Sequence, residues 1–356
     1  GAGRHPFRQR LRLRVKHLMA VRLRYHPEPE TFTLSCREPA MQSAQLLLIR
    51  SFVLSVAMTH CVVGAAEMVT LPSLTAEDVF ELEFASDPQI SPDGTVIVYV
   101  RNSFDVLTDR QYSTLWSVRP DGSEHRPITS GNRHDGSPRW SPDGLKLLYV
   151  SKGDASEEVD TGAEIFCRWM DSGQTAQLTR LPKSPGDLAW SRDGKQIAFT
   201  MLVPFERPKL AKLPGKPEKA RWAKPPIFIE RIKYRHDGKG YLEDAYRHVF
   251  VLNADGGTPR QVSRGNFDYE GPLSWLGSDT SIVCSSNQVA NWELEPRRSD
   301  LFSIDVVTSE QTALTNSGDP DRAPTVSPDG KRIAWLSFVD RKIGSQLDRL
   351  HVMNID

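Results

Sequence analysis

The chain has 356 residues, 38% of them apolar, with 25 prolines and 24 glycines, a balance that suits many short strands joined by turns rather than long helices. Its formal net charge is zero, but the first 66 residues carry 10 Lys+Arg against 3 Asp+Glu, leaving 35 against 42 in the rest. The body is therefore mildly acidic, and nothing global in it draws nucleic acid.

Residues 1–40 form a basic leader, with eight Lys/Arg and no acidic residue up to Arg24. An arm for nucleic acid or a membrane surface is one reading. The preferred one is sequence that is disordered or not translated, because Met41 begins a plausible secretory signal over 41–66. In that signal Leu46 to Ile49 lead through Arg50 into an apolar run from Ser51 to Val63, followed by Gly64, Ala65 and Ala66. The run falls short of the roughly 20 residues that span a bilayer. A cleaved signal places the mature protein in the periplasm or outside the cell. Cys167 and Cys284 are the mature cysteines; without a CxxC or a Cys/His cluster they read as small buried apolar residues.

From residue 67 onward the chain repeats. Ile90-Ser91-Pro92-Asp93-Gly94, Trp140-Ser141-Pro142-Asp143-Gly144, Trp190-Ser191-Arg192-Asp193-Gly194 and Val326-Ser327-Pro328-Asp329-Gly330 share one pattern, and Trp275-Leu276-Gly277-Ser278-Asp279 is a degenerate copy. The serine-equivalent positions stand 50, 50, 85 and 51 residues apart. A second signal keeps step: Leu115-Trp116, Ile165-Phe166, Val249-Phe250, Leu301-Phe302 and Leu350-His351. The first four are followed by short segments ending in a hydroxyl, at Thr129, Thr179, Ser263 and Thr315.

In each unit Pro presets the first turn position, Asp tolerates the second, Gly closes the turn without a Cβ clash, and Ser bonds back to the turn backbone. Four antiparallel strands per unit follow: one before the turn, one after it, the Leu-aromatic strand and the short hydroxyl-ended strand. One such sheet cannot cover both of its faces, whereas sheets arranged radially cover one another. The expected fold is all-β, a β-propeller of four-stranded antiparallel blades near 86–130, 133–181, 183–265, 266–318 and 319–356, the last incomplete. Trp140, Trp190 and Trp275 read as packing between blades rather than as ligand stackers.

The period breaks in blade three. Ser191 to Val249 spans 58 residues where Ser91 to Leu115 and Ser141 to Ile165 each span 24, so 34 extra residues lie between the second and third strands, an insertion over 204–245. Its first part, Pro204 to Pro226, is rich in Lys and Pro. Its second part, Ile227 to Tyr241, reads as a hairpin turning near Asp237-Gly238.

Catalytic patterns are absent: there is no GxSxG, HExxH, P-loop or GxGxxG. His125, His134, His236 and His248 fall in turns or flank strands, and His351 replaces an aromatic; all five read as structural. The Asp residues of the turns read as turn-makers, not general acids. No catalytic residue, metal ligand or cofactor is expected.

Leu74-Thr75-Ala76-Glu77-Asp78-Val79-Phe80 leading into Asp87-Pro88-Gln89-Ile90-Ser91-Pro92-Asp93-Gly94 resembles the start of the propeller in the prolyl oligopeptidase family. The resemblance is closer to the acylaminoacyl-peptidase and dipeptidyl-peptidase-like bacterial branch. Ile232-Lys233-Tyr234-Arg235-His236-Asp237-Gly238-Lys239-Gly240-Tyr241 followed by His248-Val249-Phe250-Val251 is similar to a stretch of that branch. In that family a propeller of seven or eight blades caps a C-terminal α/β-hydrolase domain carrying a Ser-Asp-His triad. The resemblance implies a substrate-gating propeller of an exported serine peptidase acting on peptides, truncated before its hydrolase domain. That domain and peptides are the implied partners. In the insertion, Arg231, Tyr234, Arg235 and Tyr241 are the candidate substrate-binding residues. A TolB-type periplasmic binding or scaffold propeller competes with this reading, though its separate preceding α/β domain finds little room between residue 66 and the first blade. A stand-alone scaffold is a third reading.

Overall fold

Each repeat folds as an antiparallel sheet whose first two strands flank the turn. The computed structural model describes residues 74–154, 162–205, 215–223, 227–238, 240–277 and 279–355. The expected basic leader and signal segment lie outside the described residues.

A short 3-10 turn, Glu77–Glu81, precedes the first blade, β1 (Phe84–Ile90), β2 (Ile97–Asp105), β3 (Arg110–Val118) and β4 (Arg126–Pro127). Blade two is β5 (Arg133–Trp140), β6 (Lys146–Asp154), β7 (Glu164–Trp169) and β8 (Thr175–Gln177). One parallel pairing, Ser113 with His134, joins β3 to β5, so the first two blades form a continuous eight-stranded sheet. Blade three is β9 (Gly186–Trp190), β10 (Gln196–Pro204), β13 (Ala245–Asn253) and β14 (Arg260–Gln261), with the pair β11 (Arg235–His236) and β12 (Gly240–Tyr241) between its second and third strands. Blade four is β15 (Tyr269–Trp275), β16 (Ser281–Ser286), β17 (Asp300–Asp305) and β18 (Gln311–Ala313). The fifth sheet has three strands, β19 (Arg322–Val326), β20 (Arg332–Ser337) and β21 (Arg349–Asn354).

The turn chemistry is uniform. Ser91 Oγ donates to Asp93 Oδ1 at 2.5 Å and accepts from Val96 N at 2.9 Å, while Asp93 Oδ1 also accepts from Thr95 N at 3.1 Å. The same pattern recurs at Ser141, Ser191 and Ser327. Gly94, Gly144, Gly194 and Gly330 close the turns at φ of 73°, 72°, 69° and 73°, a region that favours glycine. Accepting these bonds favours the charged carboxylate, so Asp93 is lowered to about 2 and Asp143, Asp193 and Asp329 are lowered as well. They are turn-makers.

The hydroxyl signal has a mechanical cause. Thr129, Thr179, Ser263 and Thr315 each latch the head of the third strand, accepting from the N–H of Leu115, Ile165, Val249 and Leu301 at 2.9, 3.0, 2.8 and 2.9 Å.

Alternate residues of the second strands serve opposite cores, as a strand covered on both faces requires. Leu147 packs with Val98, Val100 and Leu115 of blade one, while its neighbour Leu148 packs with Ile197 and Phe199 of blade three. Ala198 turns towards Ile282 and Cys284, and Val283 towards Ile333. The apolar core is thus a series of layers between blades. Cys167 and Cys284 are buried free thiols within it, and burial pushes Cys284 up to about 12.

The tryptophans pack between blades and also staple them. Trp140 Nε1 donates to Gln89 O, Trp190 Nε1 to Arg139 O and Trp275 Nε1 to Ala189 O, each at 3.2 Å. Every bond runs from the residue before the turn-serine position, occupied by Leu276 in blade four, to the second residue before the serine of the preceding blade. At the fourth junction Val326 takes the tryptophan position, and there Val326 N donates to Ser274 Oγ at 2.9 Å.

Each first strand is also bulged, a feature the sequence does not announce. Pairing with the second strand slips once or twice in all five blades, and Asp87, Ser137, Asp187 and Ala323 sit in the left-handed region at φ 46°, 53°, 51° and 54°. The first strands of consecutive blades pack side by side.

Candidate functional site

Antiparallel blades put every connection between second and third strands at the end opposite the turns. Three of these connections converge. The insertion hairpin turns where the sequence places it, pairing Arg235 with Tyr241 and His236 with Gly240. It leans on the connection 287–299 of blade four: Ile232 N donates to Glu293 Oε1 at 3.3 Å, and the Arg231 guanidinium lies 4.2 Å above the Tyr246 ring and 5.9 Å from that of Trp292. Arg231 Nη1 also donates to Ala245 O at 3.2 Å. Lys183 holds the hairpin's far side through Glu243 at 2.5 Å.

The four candidate residues are therefore placed differently. Tyr234 and Tyr241 come together, ring centroids 6.2 Å apart, and both are exposed. Arg235 is exposed beside Tyr241, whereas Arg231 is engaged as an anchor between the hairpin and blades three and four. Phe228 is 73% exposed, and Ile227, Ile229 and Ile232 are exposed with it.

Next to the hairpin a cavity of about 560 Å³ opens between blades four and five. Lys233 of the hairpin, Asn287, Trp292 and Arg298 of the blade-four connection, and Arg322 and Phe338 of blade five form its walls. Asn287 Nδ2 donates to Glu295 O at 2.9 Å, but its buried Oδ1 has no hydrogen-bond partner among the described residues. Arg298 Nη2 donates to Asn316 Oδ1 at 3.3 Å; its Nε, also buried, makes no hydrogen bond and lies 3.8 Å from Asp300 Oδ2. Burial pushes the Asp300 carboxyl above the usual range, with neighbouring Asp321 adding to the effect against Arg298. These residues escaped the sequence reading because they lie outside the repeat. The available signal was an out-of-register aromatic, Trp292, and two adjacent arginines, Arg297 and Arg298, in a connection longer than those of blades one and two.

The histidines make packing and hydrogen-bond contacts, with a correction to their placement: His134 and His248 lie within β5 and β13 rather than in turns or flanks. His125 contacts Tyr99 OH at 2.5 Å and tilts against Trp116, His134 packs on Tyr112, and His351 stacks on Trp335. His248 Nδ1 pairs with Ser263 Oγ at 2.9 Å, a serine–histidine contact with Asp268 nearby. Ser263 is fully buried and its Oγ already accepts from Val249 N, so no substrate carbonyl reaches it. Among the described residues no group of three or more His, Cys, Asp or Glu is placed to hold a metal ion.

No family model matches the chain. Over 201 residues it is 26% identical to the Bacillus subtilis protein named uncharacterized peptidase YuxL, covering 56% of this chain and 29% of the relative. Over 325 residues it is 26% identical to dipeptidyl-peptidase 5 of Porphyromonas gingivalis, covering 84% of this chain and 44% of the relative. The chain thus spans less than half the length of these curated relatives. Among solved structures, Pyrococcus horikoshii acylaminoacyl peptidase superposes with a TM-score of 0.57 at 15% identity, covering 79% of this chain and 39% of that one, a likeness of fold. The repeat, the stapled blades and these relatives together identify the described residues as a β-propeller of the kind that prolyl oligopeptidase-family peptidases carry.

Proposed function

We propose that this chain is the substrate-gating propeller portion of an exported serine peptidase acting on peptides, and that an α/β-hydrolase domain outside this sequence performs the acyl transfer. The observation that carries the reading is the likeness to two proteins named as peptidases, each more than twice as long as the segment this chain matches. The fold supports it: a propeller contributes a rigid collar, and its selectivity is steric. The insertion supports it too, because Phe228, Ile229, Ile232, Tyr234 and Tyr241 stand exposed together on the end of the propeller that carries the cavity, and apolar groups so gathered fit a surface to cover. That surface is the hydrolase domain, with Tyr234, Arg235 and Tyr241 at the substrate entrance and Arg231 holding the hairpin in place. Export rests on the apolar segment 51–63.

The test is the complete protein assayed on peptides of rising length and on a folded protein, with a serine-directed inhibitor as control. Inhibitor-sensitive cleavage that falls off with substrate size supports the reading. Cleavage independent of size refutes gating, and the absence of inhibitor-sensitive cleavage refutes the peptidase and promotes the scaffold propeller.

A further inference from the structure

The repeat departs from its own turn in blades three and four, and the departures meet. Arg192 stands where Pro92, Pro142 and Pro328 stand in blades one, two and five. In the blade-four turn Gly277 holds that place, and Asp279 replaces the closing glycine. Asp279 accepts from Arg192 N at 2.9 Å and from Asp193 N at 3.0 Å, which ties the blade-three turn to blade four. The Arg192 side chain lies across the turns of blades four and five. A Cβ on Gly330 would overlap Arg192 Nη1, and one on Gly277 would stand 3.6 Å from it and 3.3 Å from Gly330 O. Two bare glycines thus leave the notch that seats the guanidinium, while a carboxylate fixes its backbone. The turns of blades one and two close without such a device, so the fold itself does not require it.

Among the described residues this guanidinium makes no hydrogen bond or ion pair. It lines an open cavity of about 490 Å³ at the turn end, together with Pro92, Trp140, Pro142, Trp190 and Pro328. Trp140 and Trp190 have already donated Nε1–H to the preceding blade, so they offer only carbon to the cavity. The second cation of the wall, Arg139, is held by both oxygens of Asp87 at 3.0 and 2.8 Å, and no carboxylate belongs to the wall. One unpaired cation in an apolar wall fits an anion that carries an apolar group. A singly charged carboxylate matches one planar guanidinium, whereas a phosphate brings a second charge towards the aspartates of the turns. We propose that the turn end captures the C-terminal carboxylate of a polypeptide ending in an apolar residue. The carboxylate accepts from the Arg192 guanidinium, and the last side chain lies against Trp140, Pro142 and Trp190. Because the cavity is open, the chain leading to that residue runs out into solvent.

The experiment is calorimetric titration of the full chain with N-acetyl-Ala-Phe, which ends in a free carboxylate, and with its C-terminal amide. Saturable binding of the acid is expected, weakened about ten- to hundredfold in the amide. Arg192→Gln, which keeps the backbone N–H to Asp279, weakens the acid by a similar factor and leaves the amide unchanged. Arg119→Ala, in the turn after β3, binds the acid as the parent does. Hydrogen exchange on the unmutated chain gives a readout independent of any variant's folding: the acid slows exchange in 139–144 and 190–194. Absence of saturable binding, equal affinity for acid and amide, protection confined to other segments, or full affinity in a folded Arg192→Gln overturns the site. A free acid without a peptide bond, 3-phenylpropanoate, binding as tightly as N-acetyl-Ala-Phe overturns its assignment to a chain end. None of these outcomes touches the gating reading, which concerns the opposite end of the blades.

Discussion

Trp275→Phe isolates the blade staple. Trp275 is 3% exposed, sits in the layer between blades three and four, and donates Nε1–H to Ala189 O at 3.2 Å. Phenylalanine keeps an aromatic ring in that layer but removes the donor and part of the buried surface. Losing a neutral hydrogen bond costs about 1 kcal/mol. The smaller ring gives up on the order of 40 Å² of apolar contact, about 1 kcal/mol more at ~25 cal/mol per Å². The sum, about 2 kcal/mol, lowers Tm by ~4–8 °C for a domain of this size. Trp140→Phe and Trp190→Phe break the same bond at half-buried rings, so each costs about 1 kcal/mol. Ser274→Ala at the fourth junction, where the hydroxyl accepts from Val326 N, costs a similar amount. The assay is thermal or urea unfolding of the four variants followed by circular dichroism. A Trp275→Phe variant as stable as the parent, or one less affected than Trp140→Phe, refutes the staple as an element of stability.

Gly271→Ala puts a Cβ 2.4 Å from the Asp187 carboxyl, which Thr200 Oγ1 holds by a 2.7 Å hydrogen bond, so a loss of about 1–3 kcal/mol is expected in urea unfolding; an unchanged midpoint shows that the two first strands are not locked. Burial holds His248 below the usual histidine value, so its contribution to stability is present above about pH 6.5 and lost as pH falls through the lowered folded value. The Tm of the parent should therefore fall more steeply between pH 7.5 and 5 than that of His248→Gln, and parallel profiles contradict the assignment. Leu350 is 71% exposed on β21 and Ile90, the last residue of β1, is 66% exposed, whereas their counterparts Leu301 and Trp275 are buried. If further blades cover these faces in the complete protein, Leu350→Lys lowers its Tm while making the present chain less prone to associate; an unaltered Tm in the complete protein argues against the cover. Arg235→Ala in the complete protein should raise KM for peptides several-fold and leave a small ester unaffected, while equal kinetics on both substrates restrict the hairpin to packing.

What the sequence disclosed depended on the range of the forces involved. The turn is a matter of five adjacent residues and the hydroxyl latch of a fixed offset of 14, so both leave a periodic trace. The tryptophan was legible as packing but not as a donor, because its acceptor is a backbone carbonyl 51 or 86 residues away that carries no side-chain signature. The bulge four residues before four of the turn serines left little trace: Asp87, Ser137, Asp187 and Ala323 share a backbone conformation, but only the two aspartates share a side chain. The histidines show no pattern in the sequence, yet His248 carries a buried hydrogen bond that only the pairing of β13 with β14 creates.

The two ends of the blades differ in a way that bears on function. At the turn end the link between first and second strands has six residues in blade one and five in every other blade, and its hydrogen bonds repeat almost unchanged. At the other end the links between second and third strands have 4, 9, 40, 13 and 11 residues and no common motif. A scaffold alone gives no reason for this asymmetry, because short links close an antiparallel pair equally well at either end. The longer links each place groups that the blade itself does not need: Lys233 and the exposed tyrosines from blade three, Asn287, Trp292 and Arg298 from blade four, Gly344 and Gln346 from blade five, and members of all three line one cavity. Periodicity therefore marks the scaffold, and its failure marks the end where the variable links gather, the kind of place where rigid folds carry binding loops.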